Sequence, residues 1–393
     1  MHLDELLLHL SLIQHIGPAT IEKLVQALPA QQLLTLPTLS ASDISYLTGL
    51  PLATTTLIHI GLQDKKILDT ELALIDKHAI QWLSAYNPHY PELLKTIYLP
   101  PVILYVRGAQ LASHANTVAF VGSRQADAYG YKAIQKLVPE TSLAGITIIS
   151  GGALGIDTMA HKACLDAQGK TVAVLGSGLL KPYPAVNTKL FETISDSGGS
   201  VISPFSLQTS ALAGNFPARN RIIAGLSKAC IVVQATYPSG ALITARYALE
   251  QGREVGAVPG PIDSPLSVGC HKLITDGATV ITSAQDIQAL LSGIAPSYTF
   301  DEARIKSQNK PKVAQVQEVK NKIQKNSATN NIALTAIPTT PKEIVLYAAQ
   351  TAVSFDDLNS KTQLMPTDLQ ALLLDLQLDG LIDQTASGLW HVV

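Results

Sequence analysis

Seven short apolar runs, at residues 118–121, 146–149, 171–175, 200–202, 229–234, 254–258 and 279–281, alternate with seven stretches of helical periodicity. Those stretches fall at 129–137, 156–167, 185–197, 217–226, 241–251, 268–276 and 284–291. Such alternation specifies an α/β fold, a parallel sheet with helices on both faces. The runs are apolar throughout rather than at every second position, as strands covered on both sides must be. With 47% hydrophobic and 15% charged residues, a chain of 393 residues fills two or three domains and at least one large core.

The flanks differ in character. Residues 1–85 read as a small helical domain with helices at 6–16, 19–28, 41–47, 52–60 and 66–78, broken at Gly17-Pro18 and Gly49-Leu50-Pro51. Ile13 to Thr20 suits a helix-hairpin-helix turn, which offers amides to a DNA phosphate, or a plain scaffold. Ala19 stands where that turn usually has its second glycine, and Lys23 is its nearest cation. Residues 86–293 form the main body, entered through a proline-punctuated stretch and an apolar run at 102–106. Residues 294–338 have a linker composition, with Lys306, Lys310, Lys312, Lys320, Lys322 and Lys325 among Gln, Asn, Ser and Ala. Residues 339–393 fold again: helices at 341–350, 355–361 and 367–378, then a hairpin turning near Ser387-Gly388, make a winged helix. Asp368, Asp375 and Asp379 mark its third helix, with no Lys or Arg, which favours a protein-contact or regulatory role over DNA reading.

Net charge is -2, so any polyanion site must be local. Cys164, Cys230 and Cys270 lie far apart, which argues against a disulfide framework or a zinc site and fits a reducing compartment. Met1-His2-Leu3-Asp4-Glu5 is acidic and no apolar run reaches membrane-spanning length, so a cytoplasmic location with no membrane contact is expected.

In an open parallel sheet, ligands bind beyond the carboxyl ends of the strands. The loops there are rich in glycine and cations: Gly122-Ser123-Arg124, then Ser150 to Asp157 with Gly151 and Gly152, then Gly176 to Pro184 with Lys181. Glycines let backbone approach an anion, and helix N-termini supply amides and a favourable dipole. Pro217 suits the first position of a helix, which places Arg219 and Arg221 in its first turn, against the dipole. An anion held there accounts for them; a salt-bridged surface is the plainer account. Residues two apart on a helix diverge by about 200°, so phosphate contact is expected of Arg219, while Arg221 braces the pocket or a subunit contact. Tyr183 and Phe216 beside these cations suit base stacking or the core. Ser239, Gly240 and Thr244 suit a phosphate or a helix cap. Asp157 and His161, four apart, suit an acid and its orienter or a first-turn acid with a packed histidine. No metal cluster or catalytic triad stands out.

In combination these residues resemble the DNA-processing protein A family (DprA/Smf). Gly122-Ser123-Arg124, Ser150 to Asp157 with Ala160-His161, Ala173 to Gly176 through Tyr183-Pro184 and Asn187 match in order. So do Phe216-Pro217 to Ser227, Ser239-Gly240 to Thr244, and Gly252 to Gly260. The resemblance runs from about Tyr90 to Ala278. It implies a Rossmann-like core that binds single-stranded DNA with little sequence preference, without catalysis and without a cofactor. It also implies a homodimer that loads RecA recombinase onto incoming strands in natural transformation, past single-strand-binding protein. Arg124 matches the family's Gly-Ser-Arg turn, and Arg219 and Arg221 its Arg-Asn-Arg segment, while Lys181 lies in a loop that varies. Two positions depart: Pro204 and Gln234 stand where the family usually has Glu. The competing reading is a Rossmann-like nucleotide enzyme. Pro238 to Thr244 faintly resembles the phosphate loop of nucleoside-monophosphate phosphoribohydrolases, but Ala245 and Arg246 follow where those enzymes carry Glu.

Overall fold

A computed structural model of the chain describes residues 2–111, 116–293 and 340–392, apart from 352, 365–367, 371, 374–375, 377–380 and 385–388. The chain divides into two compact units, Met1–Tyr298 and Thr299–Val393.

The first unit is built on a nine-stranded sheet. Its strands are β1 (Gln81–Ser84), β2 (Ile103–Gly108), β3 (Thr117–Val121), β4 (Thr147–Ser150), β5 (Thr171–Val174), β6 (Ser200–Ser203), β7 (Ala229–Val232), β8 (Glu254–Ala257) and β9 (Thr279–Val280), in the order β1-β2-β6-β5-β4-β3-β7-β8-β9. Each of the seven expected runs forms a strand, and these seven pair in parallel. The remaining pair, β1 and β2, extend the sheet antiparallel at the β6 edge. Gln81-Trp82-Leu83-Ser84 follows a helix and is too short to show a period of its own; pairing with β2 makes it a strand.

The helices before and between the strands are α1 (Leu3–Leu12), α2 (Pro18–Ala27), α3 (Ala30–Leu33), α4 (Ala41–Thr48), α5 (Leu52–Gln63), α6 (Lys65–Lys77) and α7 (Glu92–Lys95). There follow α8 (Ala128–Leu143), α9 (Ile156–Asp166), α10 (Thr188–Asp196), α11 (Asn215–Gly225), α12 (Gly240–Glu250), α13 (Val268–Thr275) and α14 (Ala284–Leu291). Strand alternation sorts the core into layers. Ala119, Val121, Ile149, Cys230 and Val232 pack with Ile222 and Ile223 of α11 and Ala241 and Ala245 of α12. Val118, Phe120, Ile148, Ala229 and Ile231 face the other way, onto Ile134 and Leu137 of α8, Ala160 of α9 and Ile287 of α14. The helices over 1–85 share a third cluster with the sheet, in which Leu6, Leu10 and Ile58 join Tyr105, Ala173, Phe191 and Val201. The buried Glu71 of α6 seals that junction by accepting the Leu207 N–H at 2.8 Å.

The second unit contains α15 (Pro341–Ala348), α16 (Phe355–Thr362) and an antiparallel pair, β10 (Ile382–Gln384) with β11 (Trp390–Val392). Residues 368–370, 372–373 and 376 are helical. Val345, Val353, Leu358, Leu369, Leu373, Leu376 and Ile382 form its core. The expected linker at 294–338 and the turn at Ser387-Gly388 lie outside the described residues. Among the described residues no helix is long and apolar enough to cross a membrane.

Candidate functional site

From β3 the chain proceeds through β4, β5 and β6 to one side, and from β7 through β8 and β9 to the other. The loops after β3 and β7 therefore diverge, and an open α/β sheet forms its ligand crevice where this happens. A cleft of about 380 Å³ lies there, lined by Gly122, Ser123, Arg124, Ala153, Asp157, Arg219, Asn220, Thr236, Ser239, Gly240 and Thr244.

Arg219 is the buried centre of the site, with 4% of its surface exposed. Its Nη1 donates to the carbonyls of Gly151 and of Val174, the latter at 2.7 Å, and so ties the ends of β4 and β5 together. Nε donates to Asn220 Oδ1 at 3.0 Å. Burial, more than the neighbouring Arg124, pushes its guanidinium down to about 10, and Asp157 partly offsets this. Helix α11 begins at Asn215, two residues before Pro217, because proline fits anywhere in a first turn whose N–H groups have no helical partner. Arg219 is thus the fifth residue of the helix, in its second turn, so the expected placement of both arginines in the first turn is corrected.

Asp157 faces the same loop from the other side. Its Oδ2 accepts the N–H of Gly151 at 3.1 Å and of Ala153 at 3.3 Å, while Arg219 takes the Gly151 carbonyl. Gly151 sits between the two charges, and a Cβ there would come within 2.5 Å of Arg219 Nη1 and 2.8 Å of Asp157 Oδ2. Burial raises the Asp157 carboxyl to about 6, against the pull of Arg219 and the two amides. The loop after β4 is therefore filled by the chain's own carboxylate. The Gly151 amide expected for an external anion is engaged, and buried Gly152 gives its carbonyl to Asn187 Nδ2 at 2.9 Å.

His161 has the packed role. Thr171 Oγ1 donates to the Ile148 carbonyl at 2.9 Å, so His161 Nδ1, 2.7 Å from that hydroxyl, is its donor. Burial, then Arg219, pushes the imidazole down to about 3.

The exposed part of the site is Arg124. Its guanidinium lies over the Phe216 ring, 5.4 Å from the centroid, and Arg219 approaches the same ring at 5.9 Å. Tyr183, 47% exposed, tilts against Phe216 with centroids 5.7 Å apart. Opposite, α12 opens on the cleft: Ser239 Oγ accepts the Leu242 N–H at 3.4 Å as its cap, and Gly240 is exposed. Thr244 is buried and turns its hydroxyl to the Gly240 carbonyl at 3.3 Å, so it serves its own helix.

Besides Gly151 and Gly152, which do not line the cleft, two expected residues lie elsewhere. Arg221 points away from the cleft, where its Nη1 donates to the Tyr98 carbonyl at 2.7 Å. Lys181 is exposed on the loop that carries Tyr183 and does not line the cleft. Conversely, Asn220 and Thr236 do line it without having been singled out. Asn220 bridges Arg219 Nε and, at 3.4 Å, the Gly240 carbonyl; its place between two arginines was the available signal.

A family model for DNA recombination-mediator protein A matches residues 81–292. Protein Smf of Synechocystis sp. (strain PCC 6803) is 36% identical over 312 residues, 77% of this chain and 78% of that protein. Protein Smf of Escherichia coli K12 is 42% identical over 223 residues, which cover 57% of this chain and only 60% of that relative. The X-ray structure of DNA processing protein A from Streptococcus pneumoniae superposes with a TM-score of 0.58 at 37% identity, over 70% of this chain and 98% of that one.

Proposed function

Because this chain belongs to the DNA recombination-mediator protein A family, we propose that its cleft holds the backbone of single-stranded DNA. The observation that carries this reading is Arg124, exposed at the mouth of the cleft and laid over Phe216, opposite the N-terminus of α12. An exposed guanidinium and free helix amides suit a phosphate, and adjoining rings suit an unpaired base. In this reading Gly122, Ser123, Arg124, Ser239 and Gly240 meet the strand, and Arg219 holds the floor beneath it.

Binding without catalysis is supported by Asp157, the one carboxylate among the described residues lining the cleft, whose Oδ2 is held by two loop amides. The family resemblance extends the proposal to loading of RecA recombinase past single-strand-binding protein, by a homodimer in the cytoplasm, during natural transformation. The sequence pattern supports reading 1–85 as a helical domain, 86–293 as the Rossmann-like binding core and 339–393 as a winged helix, and the acidic residues of its third helix support protein contact.

The test is a titration of labelled, unstructured oligonucleotides over a salt series. Log affinity should fall linearly with log salt, by about 0.7 per phosphate neutralised. Retention no better than that of a charge-matched control protein overturns the proposal.

A further inference from the structure

Apart from its contact with the Phe216 ring, the Arg124 guanidinium makes no hydrogen bond among the described residues, so its place at the cleft is set mainly by its backbone. That backbone belongs to the loop between β3 and α8, and one residue just beyond the neighbouring strand β7 holds the loop at both ends. Gln234, two residues beyond β7 and 1% exposed, accepts the Ser123 N–H on its own carbonyl at 2.7 Å. Its side chain meets the far end of the loop: Nε2 donates to Asp127 Oδ1 at 2.8 Å, and Oε1 accepts the Asp127 N–H at 3.3 Å. Asp127 Oδ1 in turn caps α8, accepting the N–H groups of Tyr129 at 2.8 Å and Gly130 at 3.0 Å. The first turn of α8 lies close against the amide, since a Cβ on Gly130 would collide with Gln234 Oε1.

We propose that Gln234 is the positioning residue for Arg124, and that it acts through its paired donor and acceptor rather than through its size. The proposal rests on the DNA reading for its consequence but not for its geometry. Asp127 is held below the usual carboxylate range, first by the Gly130 amide and then by Gln234, so it presents an ionised acceptor. A buried neighbour of such an oxygen must donate, and a carboxylate there would face it unpaired. Glutamate matches glutamine in shape and supplies the missing proton only when it is itself protonated. Gln234 thus converts into a pH-dependent residue by a single-atom change.

The other titratable groups packed at this junction are Tyr129, whose hydroxyl donates to the Pro259 carbonyl, Cys270, whose thiol burial pushes up to about 12, and His271, with Nε2 3.0 Å from the Gly260 carbonyl. They are shared with the wild-type protein and cancel when each variant is compared with it at the same pH.

The experiment uses the full chain and a labelled oligothymidylate at pH 5.5, 7 and 8.5, together with hydrogen exchange at the Ser123 amide. Gln234→Glu should bind like wild type at pH 5.5 and weaken by about tenfold at pH 8.5, the size of one lost charge-assisted hydrogen bond. Ser123 exchange should quicken in step. Gln234→Glu combined with Asp127→Asn exchanges donor and acceptor, keeps the cap and should restore both readouts at pH 8.5. Wild-type behaviour of Gln234→Glu at pH 8.5 overturns the proposal. So does a loss that is equal at all three values and is not recovered in the exchanged pair, which would mark a packing role. Should the wild-type protein fail to bind the oligonucleotide, the DNA reading falls, and Ser123 exchange alone decides whether Gln234 positions the loop.

Discussion

Substituting the two arginines of the cleft separately should split binding from stability. Arg219 is 4% exposed, and its Nη1 serves the carbonyls of Gly151 and Val174. Arg219→Ala leaves two buried acceptors without donors, at about 1–3 kcal/mol each. For a unit of this size, each kcal/mol lowers Tm by roughly 2–4 °C, so a fall of roughly 5–20 °C is expected. Arg124 is exposed, and its one ring contact, at 5.4 Å, is worth about 0.5–1 kcal/mol. Arg124→Ala should therefore melt within about 4 °C of wild type. Its cost appears in binding: one exposed charge-assisted contact, about 1.5 kcal/mol, or roughly tenfold in Kd. The salt slope should shrink by about 0.7. Differential scanning fluorimetry and an oligonucleotide titration at four salt concentrations measure both. An unchanged slope in Arg124→Ala, or an Arg219→Ala protein as stable as wild type, refutes this division of roles.

Further substitutions probe the loop and the far side of α11. Gly151→Ala places a methyl 2.5 Å from Arg219 Nη1 and should destabilise the protein by about 1–3 kcal/mol, read as a lower urea midpoint. Arg221→Ala should leave oligonucleotide affinity within about twofold, since its guanidinium lies against the Tyr98 carbonyl; a loss as large as that of Arg124→Ala would put Arg221 in the DNA path. Burial raises Asp157 from 3.8 to about 6, so its contribution to stability is full below pH 4 and is lost as pH rises through 6. His161 falls from 6.5 to about 3, so its contribution is full above pH 6.5 and is lost as pH falls toward 3. The two trends oppose each other between pH 4 and 6, and Asp157→Asn should unmask the second: urea stability then drops with acidification by up to about 1.4 kcal/mol per pH unit more than in wild type. Equal slopes in the two proteins contradict this.

The sheet was legible because its seven parallel strands are buried on both faces, which leaves uninterrupted apolar runs such as Val118-Ala119-Phe120-Val121. β1 was not, since Gln81 to Ser84 takes its conformation from β2 across the sheet edge rather than from its own pattern. The same limit applied at the site. The glycines and cations after each strand pointed to one edge of the sheet, and Gly122, Arg124, Arg219 and Gly240 do meet there. Which group serves the ligand and which serves the protein depends on partners distant in sequence. Asp157 claims the Gly151 amide from six residues away, but Val174 and Gly151 reach Arg219 across 45 and 68 residues. Spacing along a helix separated Arg219 from Arg221; only the tertiary structure shows that the buried one carries the floor of the cleft.

That distinction bears on how a chain of net charge -2 would present the proposed anion site. Arg219 and Asp157 lie on opposite sides of the Gly151 backbone, and at neutral pH their charges cancel to first order. The field at the mouth then comes from Arg124 and from the first amides of α12, two sources that, in the proposed reading, would meet a phosphate from opposite walls. Protonating Asp157 would remove the cancellation and leave Arg219 as an added positive charge beneath the ligand. Affinity for a DNA backbone should therefore rise as pH falls through about 6, and Asp157→Asn should hold that higher affinity at neutral pH. A wild-type Kd that does not change between pH 7.5 and 5.5, at fixed ionic strength, would place Asp157 too far from the bound strand to act on it.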